Sequence, residues 1–122
     1  MMRYGIRYKL KQREMVLIPI PYSNLKSKKR RPVIVIPNNL YNQKTEDIVV
    51  IAVTSNIETK GYTLLITQKD MEEGNLPRDS MIRVDKIYSL SQLIVVKRLG
   101  KIKEATFERI IALLNRLMAS AE

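Results

Sequence analysis

The chain has 122 residues, 22 of them Lys or Arg and 12 Asp or Glu, for a net charge of +10. It contains neither Cys nor His, which excludes disulfides, thiol nucleophiles and thiolate metal sites and removes the usual acid–base side chain near neutral pH. Any chemistry must come from Arg, Lys, hydroxyls, carboxylates and backbone, and no metal or cofactor is expected.

The length suits one domain over residues 1–122 that buries roughly two-thirds of its unfolded surface. Residues 1–31 carry ten basic side chains against Glu14 alone, so the excess charge is local. Such a concentration favours polyanions or an acidic protein partner. The opening MMRYGIRYKLKQ has charges where a secretory signal needs an apolar run, and no apolar stretch approaches bilayer length. A cytoplasmic protein without membrane contact is expected.

Residues 1–12 read as an N-terminal extension. EMVLIPI (14–20) is short and apolar, and Pro19 makes it an edge or bulged strand. PYSNLKSKKR (21–30) is a loop rich in turn formers and lysine. PVIVI (32–36) is a buried strand begun by proline, and 37–46 is a polar connection. DIVVIAVTS (47–55) is the most β-prone run and is predicted as the central strand. YTLLITQ (62–68), after Gly61, is expected to pair with it as a hairpin. Residues 69–79 are polar, with Gly74 and Pro77 as breakers. SMIRVD (80–85) alternates Met81, Arg83 and Asp85 against Ile82 and Val84, a half-buried strand. KIYSLSQLIVVKRLG (86–100) adds one or two more strands. From Lys103 the period changes: Phe107, Ile110, Ile111, Leu114, Leu117 and Met118 share one helical face, predicting a helix over 103–120. The fold class is therefore mainly β with a C-terminal helix, as an antiparallel sheet or small barrel.

Three places could carry chemistry. The KSKKRR run (26–31) is either solvated loop or a phosphate-gripping segment. Its last residue, Arg31, precedes Pro32 and is biased to extended backbone at the mouth of a buried strand. From there its planar fork of donors suits phosphate. Thr54 either simply fills a strand or donates a hydroxyl where the apolar run gives way to Ser55 and Asn56. Asp79, Ser80, Arg83, Asp85 and Lys86 read as exposed strand positions with weak charge pairs; nothing in their spacing supports a magnesium site on Asp79 and Asp85.

These pieces, in this order, resemble the MazF/PemK toxins, endoribonucleases of bacterial toxin–antitoxin systems. EMVLIPIPYSN is similar to that family's first strand and loop, and KKRRPVIVIPN to its lysine-rich lead into Arg-Pro. IVVIAVTSN resembles the strand ending in Ala-x-Thr-Ser, and DSMIRVDKIYSL with KRLGKI its Asp-Ser-x-x-Arg-x-Asp segment and closing strand. Where the family's first strand usually opens Gly-Asp, this chain has Arg13-Glu14.

The resemblance implies an SH3-like antiparallel barrel of the MazF/PemK/CcdB type, a homodimer, and metal-independent cleavage of single-stranded RNA at short sequences. It also implies an acidic antitoxin partner. By position, Arg31 and Thr54 match the catalytic arginine and threonine. Ser23, Lys26, Lys28, Lys29, Arg30, Ser55, Asn56, Asp79, Ser80, Arg83 and Lys86 are the expected RNA contacts, and Glu14 and Asp79 are candidates to assist proton movement. Two other readings stand beside it: a toxin of the same barrel type that poisons DNA gyrase, and a non-catalytic nucleic-acid-binding barrel.

Overall fold

The computed structural model describes residues 9–19, 29–58 and 61–121. The strands are β1 (Glu14–Pro19), β2 (Arg30–Val35), β3 (Asp47–Thr54), β4 (Thr63–Ile66), β5 (Met71–Gly74), β6 (Ser80–Ser91) and β7 (Lys97–Ile102). They form one antiparallel sheet, curled into a half-barrel, in the order β4-β6-β3-β2-β1-β7-β5. A short helix, α1 (Asn39–Lys44), joins β2 to β3, and α2 (Glu104–Met118) follows β7.

The apolar runs in β2 and β3 are continuous because the sheet is covered on both faces. Successive residues alternate between two cores. Ile34, Ile51 and Val53 lie on one side with Met15, Ile82, Phe107 and Ile110, so α2 covers that face. Val33, Val35 and Val50 lie on the other with Leu10, Val16, Ile18 and Val95. Leu10 is 1% exposed, and its N–H donates to Gln92 Oε1 at 2.9 Å. Residues 9–12 of the expected extension therefore help close the second core.

Three expectations change. EMVLIPI is bulged, as read, but it is not an edge: β1 pairs with β2 on one side and β7 on the other, with a register shift between Met15 and Val16 against β7. Pro19 is tolerated because it ends the strand. The second change concerns YTLLITQ, which does not form a hairpin with β3. Both edges of β3 are taken, by β2 and by the long β6, so β4 pairs instead with the outer edge of β6, from Thr63↔Arg83 to Ile66↔Ser80. The third change is that the polar stretches carry short elements. Asn38 caps α1 by accepting from the Tyr41 N–H at 2.9 Å, and 71–74 pairs with β7.

That last pairing depends on two glycines. Gly74 lies opposite Gly100, and a Cβ at Gly100 would sit 2.2 Å from the Glu73 carbonyl oxygen. The chain also places a non-glycine residue at positive φ: Arg13, at 75°. Its N–H donates to Val35 O at 2.9 Å and its carbonyl accepts from the Ile102 N–H at 3.0 Å, tying the start of β1 to both flanking strands. The Arg13 guanidinium adds bonds to Ile102 O at 2.9 Å and Glu72 at 3.2 Å.

Candidate active site

Side chains two residues apart on a strand share a face, so Arg31 projects with Val33 and Val35, and Thr54 with Ala52 and Val50. The β2–β3 register runs Val35↔Val50, Ile34↔Ile51, Val33↔Ala52. Continued two residues, it brings Arg31 level with Thr54. On β6, Arg83 lies opposite Ala52 and also opposite Thr63 of β4. The second apolar face thus ends in a polar patch built from four strands.

That patch is a groove of about 180 Å³ lined by Arg31, Thr54, Asn56, Arg83, Lys86 and Tyr88, with Ala52, Val53, Glu58 and Thr63 completing its walls. Thr54 Oγ1 accepts from the Asn56 N–H at 3.2 Å, which fixes the oxygen and leaves its own proton free to be donated. Asn56 Nδ2 donates to Glu58 at 3.3 Å. Arg83 is held by a two-point fork, Nε to Asp85 Oδ1 at 2.9 Å and Nη2 to Oδ2 at 2.8 Å. The Asp85 hydrogen bonds raise the Arg83 pKa above its ordinary value, and the same bonds lower that of Asp85. Among the described residues nothing pairs with the Arg31 guanidinium, so its donors remain available. A site of this kind, with the Arg31 guanidinium available, Arg83 tethered, a lysine and an oriented hydroxyl, suits a phosphate ester.

Of the residues singled out in the sequence, Arg31, Thr54, Asn56, Arg83 and Lys86 line the groove together. Lys29 and Arg30 are exposed where β2 begins, and Ser55 is exposed in the turn beside Thr54. Asp79 is exposed ahead of β6, and Ser80 is 5% exposed and donates to Arg78 O, so neither lines the groove. Ser23, Lys26 and Lys28 lie outside the described residues. Glu14 is remote: it is 3% exposed, accepts from the Lys11 N–H at 2.6 Å and from Arg98 Nε, and lines a separate cleft with Glu73 and Lys101. Among the described residues no three carboxylates converge as a metal site. Sequence reasoning missed Tyr88, Glu58 and Thr63. Thr63 was discoverable only through the β4–β6 pairing, which the hairpin expectation had replaced.

The chain matches the PemK-like, MazF-like toxins of type II toxin–antitoxin systems over residues 11–118. It belongs to that family. No curated protein sequence matches it significantly. Among solved structures, a mycobacterial endoribonuclease in complex with its cognate antitoxin is similar at 18% identity, covering 92% of this chain and 99% of that one with a TM-score of 0.74. The MazE–MazF complex of Deinococcus radiodurans is similar at 16% identity over 93% of this chain and all of that one (100%), TM-score 0.74. The Mycobacterium tuberculosis toxin MazF-mt6 follows at 10% identity, 85% and 94% coverage and a TM-score of 0.69. At these identities the likeness is one of fold. Among the described residues no helix of this toxin-family chain is long and apolar enough to cross a membrane.

Proposed function

We propose that the protein is the toxin of a type II toxin–antitoxin system and acts as a metal-independent endoribonuclease on short sequences in single-stranded RNA. The observation that carries this reading is that Arg31 and Thr54, 23 positions apart in the chain, line one groove on adjacent strands. In the reaction, the ribose 2′-oxygen forms a bond to the neighbouring phosphorus and the bond from phosphorus to the 5′-oxygen breaks. The proton lost from the 2′-hydroxyl is balanced by the one gained at the 5′-oxygen, leaving a 2′,3′-cyclic phosphate and a 5′-hydroxyl. RNA supplies the nucleophile, so the absence of Cys and His is no obstacle. The protein aligns the attack and stabilises charge on the non-bridging oxygens, Arg31 by paired N–H donation and Thr54 by its hydroxyl. Arg83, Lys86 and Asn56 hold the flanking nucleotides, and Lys29, Arg30 and the rest of the basic run 26–31 attract the backbone.

The relatives solved with antitoxins support an antitoxin partner here as well. The basic charge of residues 1–31 favours an acidic one that competes with RNA for the same groove. A homodimer in the cytoplasm completes the reading. The test is mapping of RNA ends after incubation with purified protein and chelator, alongside an RNA carrying 2′-deoxy residues at the cleaved positions. Cyclic phosphate ends in the first and no cut in the second are expected; cleavage of the deoxy-substituted RNA would refute the proposed attack. Gyrase inhibition that persists in Arg31→Ala, with no RNA cleaved by the parent protein, would favour the gyrase-poisoning alternative.

A further inference from the structure

A second cavity of about 120 Å³ adjoins the groove, and its walls include Ile18, Val33, Leu90 and Ile94. Arg31, Ala52 and Tyr88 line both cavities. Among the described residues Tyr88 is the one aromatic side chain lining either of them, and it is 43% exposed.

We propose that this apolar slot receives one nucleobase next to the scissile linkage, with the Tyr88 ring as its stacking face. The proposal rests on the reading of the polar groove as an RNA-cleaving site and adds how one flanking nucleotide is held. A nucleotide joins an anion to a flat apolar heterocycle, and the two cavities, which share Arg31, Ala52 and Tyr88, offer the matching halves. With the phosphate on Arg31 and Thr54, one neighbouring nucleoside lies over Asn56, Glu58 and Thr63, whose side chains can read base edges. The other lies over Val33, Leu90, Ile94 and Tyr88, which offer shape and stacking and little hydrogen bonding. A protein surface would cover the slot less well. Nothing among the described residues pairs with the Arg31 guanidinium, so closing an apolar lid over it would strip its water without supplying an anion, which is costly, whereas a nucleotide brings that anion with it.

Binding of short single-stranded oligonucleotides, 2′-deoxy at the cleaved position and carrying a single abasic residue on one side or the other of it, tests the proposal. In the parent protein, loss of the slot base should weaken binding about ten-fold or more, whereas exchange of one natural base for another there should matter less. Tyr88→Phe should keep the abasic penalty. Tyr88→Ala should bind the complete oligonucleotide about as weakly as the parent binds the abasic one, and should show no further penalty. Ile94→Trp, which fills the slot from an exposed position and leaves Tyr88 intact, should reproduce that result and guards against a folding defect in Tyr88→Ala. Equal abasic penalties in the parent, Tyr88→Ala and Ile94→Trp would overturn the proposal. So would sedimentation showing that either variant turns a dimer into a monomer, because a second copy would then be the occupant. Failure of the ribonuclease reading looks different: intact RNA in the cleavage assay, or a cut at the 2′-deoxy position.

Discussion

Thr54 and Arg13 show two different demands on a single residue. At Thr54 the demand, in the proposed reaction, is chemical: an oxygen pinned by the Asn56 N–H, with one proton to give. Thr54→Val keeps the strand shape and removes the donor, so single-turnover cleavage should fall by about 10²–10³-fold, while Thr54→Ser should retain most of the rate. Equal activity of Val and Thr would remove Thr54 from the mechanism. At Arg13 the demand is conformational. The residue sits at φ 75°, where the family's pattern has glycine, and its guanidinium bonds to Ile102 O and Glu72 offset the strain. Arg13→Ala loses those bonds and keeps the strain, which should cost about 1–2 kcal/mol. Arg13→Gly loses the bonds but relieves the backbone, and should be the more stable variant by about 1 kcal/mol. Urea midpoints in the opposite order would show that Arg13 is unstrained.

At the level of elements, the strongest periodic signals were legible and the pairings were not. The runs 32–36 and 47–55 read as strands because both of their faces are apolar, and the helix read correctly from its 3.6-residue spacing. Its buried end carries the packing. Phe107 and Ile110 enter the first core, whereas Met118 is 67% exposed. Ile110→Ala should therefore cost about 2–5 kcal/mol in chemical denaturation, and Met118→Ala no more than about 0.5 kcal/mol; similar losses from both would argue that α2 packs differently. The β4 pairing was illegible because no local pattern records which edge of a neighbour is already occupied. That Arg31 and Thr54 meet in one groove was legible because each is the polar end of an otherwise apolar strand. Tyr88 was hidden by the irregularity in β6, where the partner of Ile51 is Ile87 but that of Ala52 is Arg83. The register shift between them breaks the alternation, so Arg83 and Tyr88 both line the groove although simple parity separates them.

For the whole molecule, charge sets how the groove responds to salt and acid. Lys29 and Arg30 are exposed beside the groove end of β2, and replacing both with Gln should weaken RNA binding similarly across sequences. The slope of log affinity against log salt should drop by about 0.7 per charge that meets a phosphate; an unchanged slope would remove them from the interface. On the acid side, the Arg83 hydrogen bonds hold Asp85 below its ordinary 3.8, and the Arg98 hydrogen bond holds Glu73 below 4.5. Groups with depressed folded values add stability that is complete above the unfolded value and is lost as pH falls through the folded one. Stability should therefore decline below those ordinary values and not near neutrality, by a small amount because these pairs meet solvent. Comparison of Asp85→Asn with the parent at pH 6 and pH 3 checks this: their difference should shrink at the lower pH, and a difference that grew would reverse the sign.

The position of β1 between β2 and β7 has a consequence for synthesis on the ribosome. The β2–β3 pair that carries Arg31 and Thr54 is local and can close early. Glu14, by contrast, meets Arg98 only across 84 positions, so β1 keeps one bare edge until nearly all of the polypeptide has emerged. Chains that stall or terminate before β7 would present that edge, with Val16 and Ile18 stripped of cover, as a template for pairing with other nascent strands. Truncated products should accordingly be cleared or aggregate, and should not accumulate as folded protein.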